Sequence, residues 1–184
     1  MQLQTLALII TVALAFVGYF ATYVNNLVLA RRKERLDYIN KAINDFYGPL
    51  YVVTYVGSTA YTAFVTKIGK EDDPDLKKPL TDEEFAEWRL WVINVFMPMN
   101  EWREKLLLGS AYLIQERDVP ECVLRFITHV SAYKAVIKKW ESGDYSERFS
   151  IIDYPDELLD YTTKAYRALK AEQLRLIGEL KYRA

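Results

Sequence analysis

The chain has 184 residues, of which 24 are lysine or arginine, 25 are aspartate or glutamate and one is histidine, so its formal net charge is −1 at pH 7. This balance argues against a nucleic-acid-binding protein, which usually carries a marked basic excess. The single cysteine, Cys122, excludes an intramolecular disulfide. All charged residues lie after residue 30, and the roughly 150 residues that follow suffice for one domain with its own core.

The first thirty residues predict a membrane anchor. Residues 3–30 carry no charge, and the stretch from Leu6 to Val24 consists mostly of Leu, Ile, Val, Ala and Phe. At about 1.5 Å rise per residue this stretch measures roughly 28 Å as a helix, close to the thickness of a bilayer's hydrocarbon core. We therefore predict a single transmembrane helix within residues 1–30 and one helical domain over residues 31–184.

A cleaved signal peptide is the alternative interpretation of this segment, with Ala13-Leu14-Ala15 as the cleavage site. Such a peptide would carry basic residues at its start and a short apolar core. Residues 1–5 contain no basic side chain, and the apolar run continues for several residues beyond that site. A retained anchor is therefore the preferred interpretation.

Basic residues directly after the apolar stretch predict its orientation. Cytoplasmic flanks of transmembrane helices are enriched in lysine and arginine, and such side chains also attract anionic lipid headgroups. The expected location is thus the inner (plasma) membrane, with the N-terminus outside and the C-terminal domain in the cytoplasm. The residues that set this topology are Arg31, Arg32, Lys33 and Arg35.

One face of the apolar stretch is built from small side chains, and the opposite face from large ones. In lipid, small residues let two helix backbones approach closely, so that van der Waals packing drives their association. The pattern predicts a helix–helix packing seam, used for self-association or for a membrane partner. Small residues are also common in such helices without any partner, which is the alternative. The seam consists of Ala7, Thr11, Ala15, Gly18 and Thr22.

The remaining chain has helical periodicity nearly throughout, which predicts an all-α fold. The membrane helix is expected to continue into the cytoplasm and to end at Gly48-Pro49, since glycine tolerates a helix end and proline favours a following first turn. A second helix is predicted from Leu50 to Lys67. The charged, proline-containing residues 69–80 then form an exposed loop.

The middle of the chain predicts a third helix. Thr81 opens it, with Glu84 three residues later in a capping-box pattern. Pro98 removes one backbone donor and clashes with the preceding turn, so either the helix bends there or a fourth helix begins. The residues expected to face the core are Phe85, Trp88, Val92, Val95, Met99, Trp102, Leu106 and Leu113.

Two further helices complete the predicted fold, one from Pro120 to about Ser142 and one from Pro155 to about Lys181. The turn-rich residues 143–154 lie between them. Short connections between amphipathic helices favour antiparallel neighbours, so we predict an antiparallel bundle of about five helices. Four apolar side chains are expected to pin the last loop to this bundle: Tyr145, Phe149, Ile151 and Ile152.

The only histidine, His129, lies on the apolar face of the helix that begins at Pro120, one turn before Tyr133. A buried imidazole with a partner such as a backbone carbonyl or Tyr133 can serve as a pH sensor or a base. A satisfied core histidine is the more common arrangement. The positions three and four residues away offer no metal ligand, so no metal site is predicted.

No catalytic residue and no cofactor are predicted, because the sequence contains no phosphate-binding loop, nucleophile elbow or zinc-protease pair. The preferred hypothesis is a membrane-tethered helical interaction module, acting as adaptor, sensor or assembly subunit, whose partners are membrane lipid and either a second copy or another protein. A membrane-perturbing effector of the defence or toxin type, oligomerising through its transmembrane helix, is the alternative. An enzyme built around His129 is the third hypothesis.

Overall fold

A computed structural model describes residues 2–181, with side chains described for residue 2 and for residues 4–178. Helices account for 79 % of the chain and none of the described residues forms a strand, which confirms the all-α prediction. The described residues form four continuous helices. Helix α1 comprises Gln2–Ala42, Ile43–Tyr47 and Gly48–Lys67, α2 comprises Asp82–Trp91, Val92–Phe96 and Met97–Gly109, α3 is Glu121–Glu141, and α4 is Glu157–Lys181.

The predicted count of about five helices in the bundle is wrong, because the two proline positions do not end helices. In α1 and in α2 a five-residue π-helical turn directly precedes the proline-containing dipeptide: Gly48 N–H bonds to Ile43 O, and Met97 N–H bonds to Val92 O. Such a turn inserts one extra residue and is wider than a regular α-helical turn. The proline rings are accommodated there, and each helix continues.

At Gly48 the backbone lies unusually close to the acceptor of the π turn. A β-carbon at this position would lie 2.6 Å from the carbonyl oxygen of Ile43, which is the acceptor of the π turn. Only glycine lets the backbone approach that oxygen without displacing it. The dipeptide that predicted a helix end therefore marks a change of helical pitch inside one helix.

The start of α2 agrees with the sequence prediction. Thr81 Oγ1 accepts a hydrogen bond from Glu84 N at 3.2 Å, and Glu84 Oε2 accepts one from Thr81 N at 2.7 Å. This capping box satisfies two backbone donors at the helix N-terminus.

The backbone contacts divide the chain into two compact units. The first unit comprises the residues up to Lys41 together with those from Lys170 onwards, so the predicted boundary at residue 30 falls inside α1. Within this unit α1 and α4 are joined by a bidentate pair, in which Arg35 Nε and Nη2 donate to Glu172 at 3.0 and 2.9 Å. Gln173 Nε2 also donates to Asn40 Oδ1 at 2.6 Å.

The second unit, residues 42–169, contains a large aromatic core. Phe64 of α1 meets Trp88 and Phe96 of α2, with ring centroids 5.2 and 6.2 Å apart. Helices α2 and α3 run antiparallel, since the ring of Phe85 meets that of Trp140, whereas Arg103, later in α2, lies over Phe126, earlier in α3. The fully buried side chains of this unit include Phe46, Tyr47, Leu50, Phe64, Leu107, Leu113, Val123, Phe126 and Leu158.

One helix, α1, is long and apolar enough to cross a membrane, judged by length and composition. Its apolar window has no buried residues, and large side chains such as Leu14, Phe16 and Phe20 are exposed.

Candidate functional site

A cluster of polar side chains lies inside the second unit, where a helical bundle would normally be apolar. Asn100 and Arg103 of α2 and His129 of α3 are all buried, and the Arg103 side chain is only 3 % exposed. Tyr154 closes the cluster from the loop before α4. Burying a charged or polar group is costly unless partners replace water, so the contacts of this cluster determine whether it is stable.

Arg103 is the centre of the cluster. Its Nη1 donates to Tyr154 Oη at 2.9 Å, and its Nη2 donates to Asn100 Oδ1. The guanidinium carbon also lies 4.8 Å from the ring centroid of Phe126 and 5.7 Å from that of Tyr154. No carboxylate forms an ion pair with Arg103 in the described part of the chain. Amide and phenol oxygens and two aromatic faces therefore stabilise this buried cation.

Helix α1 contributes a glycine beside the guanidinium of Arg103. A β-carbon at Gly57 would lie 3.5 Å from Arg103 Nη2, which is ordinary van der Waals contact. Thr54, one turn earlier on α1, is buried, and its hydroxyl has no hydrogen-bond partner among the described residues; the same holds for Arg103 Nε. The cluster is closely enclosed by three helices and a loop.

His129 is fixed by the backbone of that loop. Its Nδ1 donates to the carbonyl oxygen of Ile152 at 2.6 Å, and its ring meets the edges of Tyr133 and Tyr154 at centroid distances of 5.4 and 5.6 Å. Burial lowers the pKa of His129 below its usual value, and the nearby Arg103 cation lowers it further. The imidazole is thus held neutral, with one ring nitrogen already engaged.

Tyr133 is not hydrogen-bonded to His129. Its hydroxyl accepts from Trp88 Nε1 at 3.0 Å, and burial raises the pKa of this phenol well above its usual range. Burial likewise raises the pKa of Tyr154. Neither phenol therefore has the lowered pKa that a general base or nucleophile would need near neutral pH.

We name residues 143–156 the strap, because buried side chains of α2 and α3 hold its backbone at several points. Trp140 Nε1 donates to Glu147 O at 2.7 Å, Trp88 Nε1 donates to Arg148 O at 3.3 Å, and His129 holds Ile152 O. Arg148 in turn donates to Leu80 O at 2.5 Å. The aromatic and polar side chains of the bundle thereby fix a segment that has no regular secondary structure of its own.

One prediction about the apolar residues of the strap is wrong. Phe149 does pack on the bundle, with its ring 5.6 Å from that of Trp88, and Tyr145 meets Phe85 at 6.4 Å. Ile151, expected to pin the loop, is instead 83 % exposed. The backbone bonds on either side of it already fix the strap, so its side chain is not needed as an anchor.

The described residues offer neither a metal-binding group nor an activated thiol. No group of three or more histidine, cysteine, aspartate or glutamate side chains in the described part of the chain could hold a metal ion. Cys122 is half-buried, and burial raises the pKa of its thiol. The thiol is thus held in its less nucleophilic, protonated form.

The five seam residues all lie on the exposed surface of α1 in the first unit. Thr11 Oγ1 donates to Ala7 O and Thr22 Oγ1 donates to Gly18 O, both at 2.9 Å. Both threonine hydroxyls are therefore satisfied within their own helix. A β-carbon at Gly18 would meet no described atom within 4 Å, so this face is open to close approach.

The four basic residues have different surroundings. Arg31 and Lys33 are exposed, and Arg32 is half-buried. Arg35 is engaged by Glu172, which raises the pKa of the Arg35 guanidinium and lowers that of the Glu172 carboxyl. One of the residues singled out for topology thus also joins α1 to α4.

No protein-family model, no curated protein and no solved structure matches this chain.

The sequence analysis missed Asn100, Arg103 and Tyr154. The predicted core stripe of α2 contained Met99, Trp102 and Leu106, whereas the buried positions are each one residue later, and Trp102 is exposed. The π turn Val92–Phe96 adds one residue, which rotates everything after it by about 100°. The sequence contains one indication of this change in the buried positions of α2. A proline follows an apolar helical segment twice, at Pro49 and at Pro98.

Proposed function

We propose that this protein is a single-pass membrane protein. Its helical domain over residues 31–184, here called the helical body, serves as an interaction module, as an adaptor, sensor or assembly subunit. The observation that carries the proposal is the apolar segment of α1, whose large side chains are exposed along its whole length. An exposed apolar surface of this extent is unfavourable in water and is covered in a bilayer.

The basic residues support an orientation with the N-terminal end outside and the helical body in the cytoplasm, at the inner (plasma) membrane. Arg31 and Lys33 are exposed directly after the apolar segment, where they are available to the headgroups of anionic lipids. Positive charge directly after the apolar segment is the feature that places this side in the cytoplasm.

The seam supports self-association or a membrane partner. With the hydroxyls of Thr11 and Thr22 bonded inside the helix, no polar group on this face needs a partner in lipid. Contact between two such helices would rest on van der Waals packing over Ala15 and Gly18, as in other small-residue interfaces.

The buried cluster favours an interaction module over an enzyme. Arg103 donates a hydrogen bond to Tyr154, and His129 donates one to the strap backbone. The phenols of Tyr133 and Tyr154 have raised pKa values and stay protonated. Such an arrangement stabilises one conformation of the body. Tethering this body to the membrane raises its local concentration, so a contact of modest affinity is sufficient for assembly.

Membrane insertion is tested by fractionation of cells that express the full chain. The intact polypeptide is expected in the membrane pellet after alkaline washing, with its N-terminal residues present by intact mass. A C-terminal fluorescent reporter should be active and a C-terminal alkaline phosphatase inactive. Recovery of the intact chain in the aqueous supernatant, or the opposite reporter result, would overturn the proposal.

Association is tested by chemical crosslinking of the full chain in membranes. Replacing Ala15 and Gly18 with Leu should reduce the crosslinked dimer, whereas Phe16→Leu on the opposite face should leave it unchanged. A chain that is monomeric and yields no crosslinked partner contradicts the interaction role. Toxicity on overexpression that requires Gly18 would instead favour the membrane-perturbing effector.

A further inference from the structure

Helix α2 carries an arginine, Arg89, whose guanidinium lies against aromatic rings. The guanidinium carbon of Arg89 lies 3.8 Å from the ring centroid of Tyr145 and 5.1 Å from that of Phe85. Its Nε is buried without a hydrogen-bond partner, and within the described residues no carboxylate pairs with it. Stacking on Tyr145 fixes the plane of the guanidinium, and a fixed arginine fork is suited to a carboxylate.

Two exposed apolar residues follow Arg89 on α2, and the Tyr145 ring on which it stacks is also exposed. Leu90 is 55 % exposed, Ile93, one turn after Arg89, is 45 % exposed, and Tyr145 itself is 46 % exposed. We name these four residues, Arg89, Leu90, Ile93 and Tyr145, the arginine face. Arginine and aromatic residues are the types enriched in protein–protein interfaces.

A second surface has the opposite charge. Ile151 has the largest exposed fraction among the large apolar side chains that the structure describes. Asp153 and Asp156 follow it in the chain, and neither carboxylate is in an ion pair in the described part of the protein. We name these three residues, Ile151, Asp153 and Asp156, the acidic face.

The acidic face is held in place by the strap. Ile152 N donates to Ser150 Oγ at 3.1 Å, and Ile152 O accepts from His129. The backbone on both sides of Ile151 is thus fixed. Because a side chain presented from ordered backbone loses less conformational entropy on binding, this surface is preorganised for contact.

We propose that the arginine face of one copy binds the acidic face of a second copy of this chain. The Asp153 carboxylate accepts hydrogen bonds from Arg89, and Ile151 packs against Leu90 and Ile93. A second copy is the occupant because the two faces have complementary charges. Arg89 has no ion pair among the described residues, and neither have Asp153 and Asp156, which follow the exposed Ile151. The proposal rests on the interaction-module function and names its partner.

This contact is heterologous, because two different surfaces meet. In a pair, one copy retains an unused acidic face and the other an unused arginine face, so further copies can add until a ring closes or an open chain forms. Membrane tethering keeps the copies at high local concentration, so a small contact can suffice.

Charge exchange tests the proposal on the full chain in detergent, with assembly measured by sedimentation velocity. Arg89→Glu and Asp153→Lys should each weaken assembly by about tenfold or more, because like charges then oppose each other. The double variant R89E/D153K should recover assembly. An equimolar mixture of the two single variants should also recover it, since each supplies the face that the other lacks.

The controls separate folding from binding. Helical circular dichroism and the unfolding temperature of each variant should match those of the parent, and Arg117→Glu, at an exposed position elsewhere, should assemble normally.

Folded single variants that still assemble, or a double variant and mixture that fail to recover, overturn the proposal. Dependence of assembly on Gly18 but not on Arg89 would also overturn it, while leaving the proposed function intact. Loss of a crosslink to a different protein in R89E would show another occupant and overturn it as well.

Discussion

Arg103 donates to the phenol oxygen of Tyr154 at 2.9 Å in the second unit, where Arg103 is buried and Tyr154 is half-buried. Helix α2 and the strap are thereby joined by a charge-assisted hydrogen bond that involves no carboxylate. A buried cation is retained at such a position only if its polar partners stay in place, so this bond makes the strap part of the folded core.

Tyr154→Phe removes this bond and leaves the ring packing on Phe126 and His129 unchanged. Because a hydrogen bond to a charged group contributes about 1.5–3 kcal/mol, the free energy of unfolding should fall by about that amount. Chemical unfolding of the full chain in detergent measures it. Tyr145→Phe is the matched control, since the Tyr145 hydroxyl makes no hydrogen bond in the described structure; an equal loss in both variants would contradict this account.

His129 makes the stability of the protein depend on pH in the acidic range. Its pKa is lowered in the folded state by burial and by Arg103, while in the unfolded chain it titrates near the usual value of about 6.5. Below that pH the unfolded state binds one more proton than the folded state. The free energy of unfolding should therefore decrease as pH falls, by up to about 1.4 kcal/mol per pH unit, until the folded-state pKa is reached.

His129→Asn tests this dependence, because the asparagine amide can still donate to Ile152 O but does not titrate. The variant is less stable at neutral pH through lost ring packing, so the quantity to compare is the slope. Thermal unfolding from about pH 7.5 to about pH 5 should show a smaller decrease in the variant than in the parent. Since His129 is the only histidine, parallel curves for the two proteins would refute the prediction.

Gly48→Ala should disturb the π turn of α1. The added β-carbon would lie 2.6 Å from Ile43 O, so backbone must move, and a loss of more than about 1 kcal/mol in the free energy of unfolding is expected. Gly178→Ala in α4 meets no described atom within 4 Å. It should stabilise its helix by up to about 1 kcal/mol, because alanine has the higher helix propensity. Two variants of equal stability would contradict the role of Gly48.

The Arg35–Glu172 pair should contribute little and should respond to salt. Its side chains are 46 % and 29 % exposed, so water screens the attraction even though the geometry is bidentate. An alanine double-mutant cycle is expected to give a coupling of no more than about 1 kcal/mol, decreasing at high ionic strength. A coupling that is unaffected by salt would indicate that the pair is shielded from solvent.

Several elements were predictable because local sequence determines them. The capping box at Thr81 needs only Glu84 three residues later, and the absence of charge before Arg31 defines the apolar segment without any tertiary contact. The helix from Pro120 was placed within a residue or two of α3, since its apolar spacing is regular from Phe126 to Trp140. Helical period and end signals act over a few residues, and a sequence displays them directly.

The buried polar cluster could not be predicted, because a single inserted residue decides it. A regular α-helix through Trp88 would place Trp102 in the core and Arg103 on the surface. Because of the π turn before Pro98, Arg103 is buried and Trp102 is exposed. The exposure of Ile151 was equally hidden, since it follows from the bonds that His129 and Trp88 make to strap carbonyls far along the chain.

By itself the sequence determined the helical class, the apolar segment and the basic flank, because hydrophobic period, length and charge are properties of neighbouring residues. Tertiary structure alone decided that the prolines lie within continuous helices, that Arg103 is buried without a carboxylate partner among the described residues, and that Ile151 is exposed. These outcomes depend on helical phase after a π turn and on hydrogen bonds between distant segments, which only the packed chain fixes.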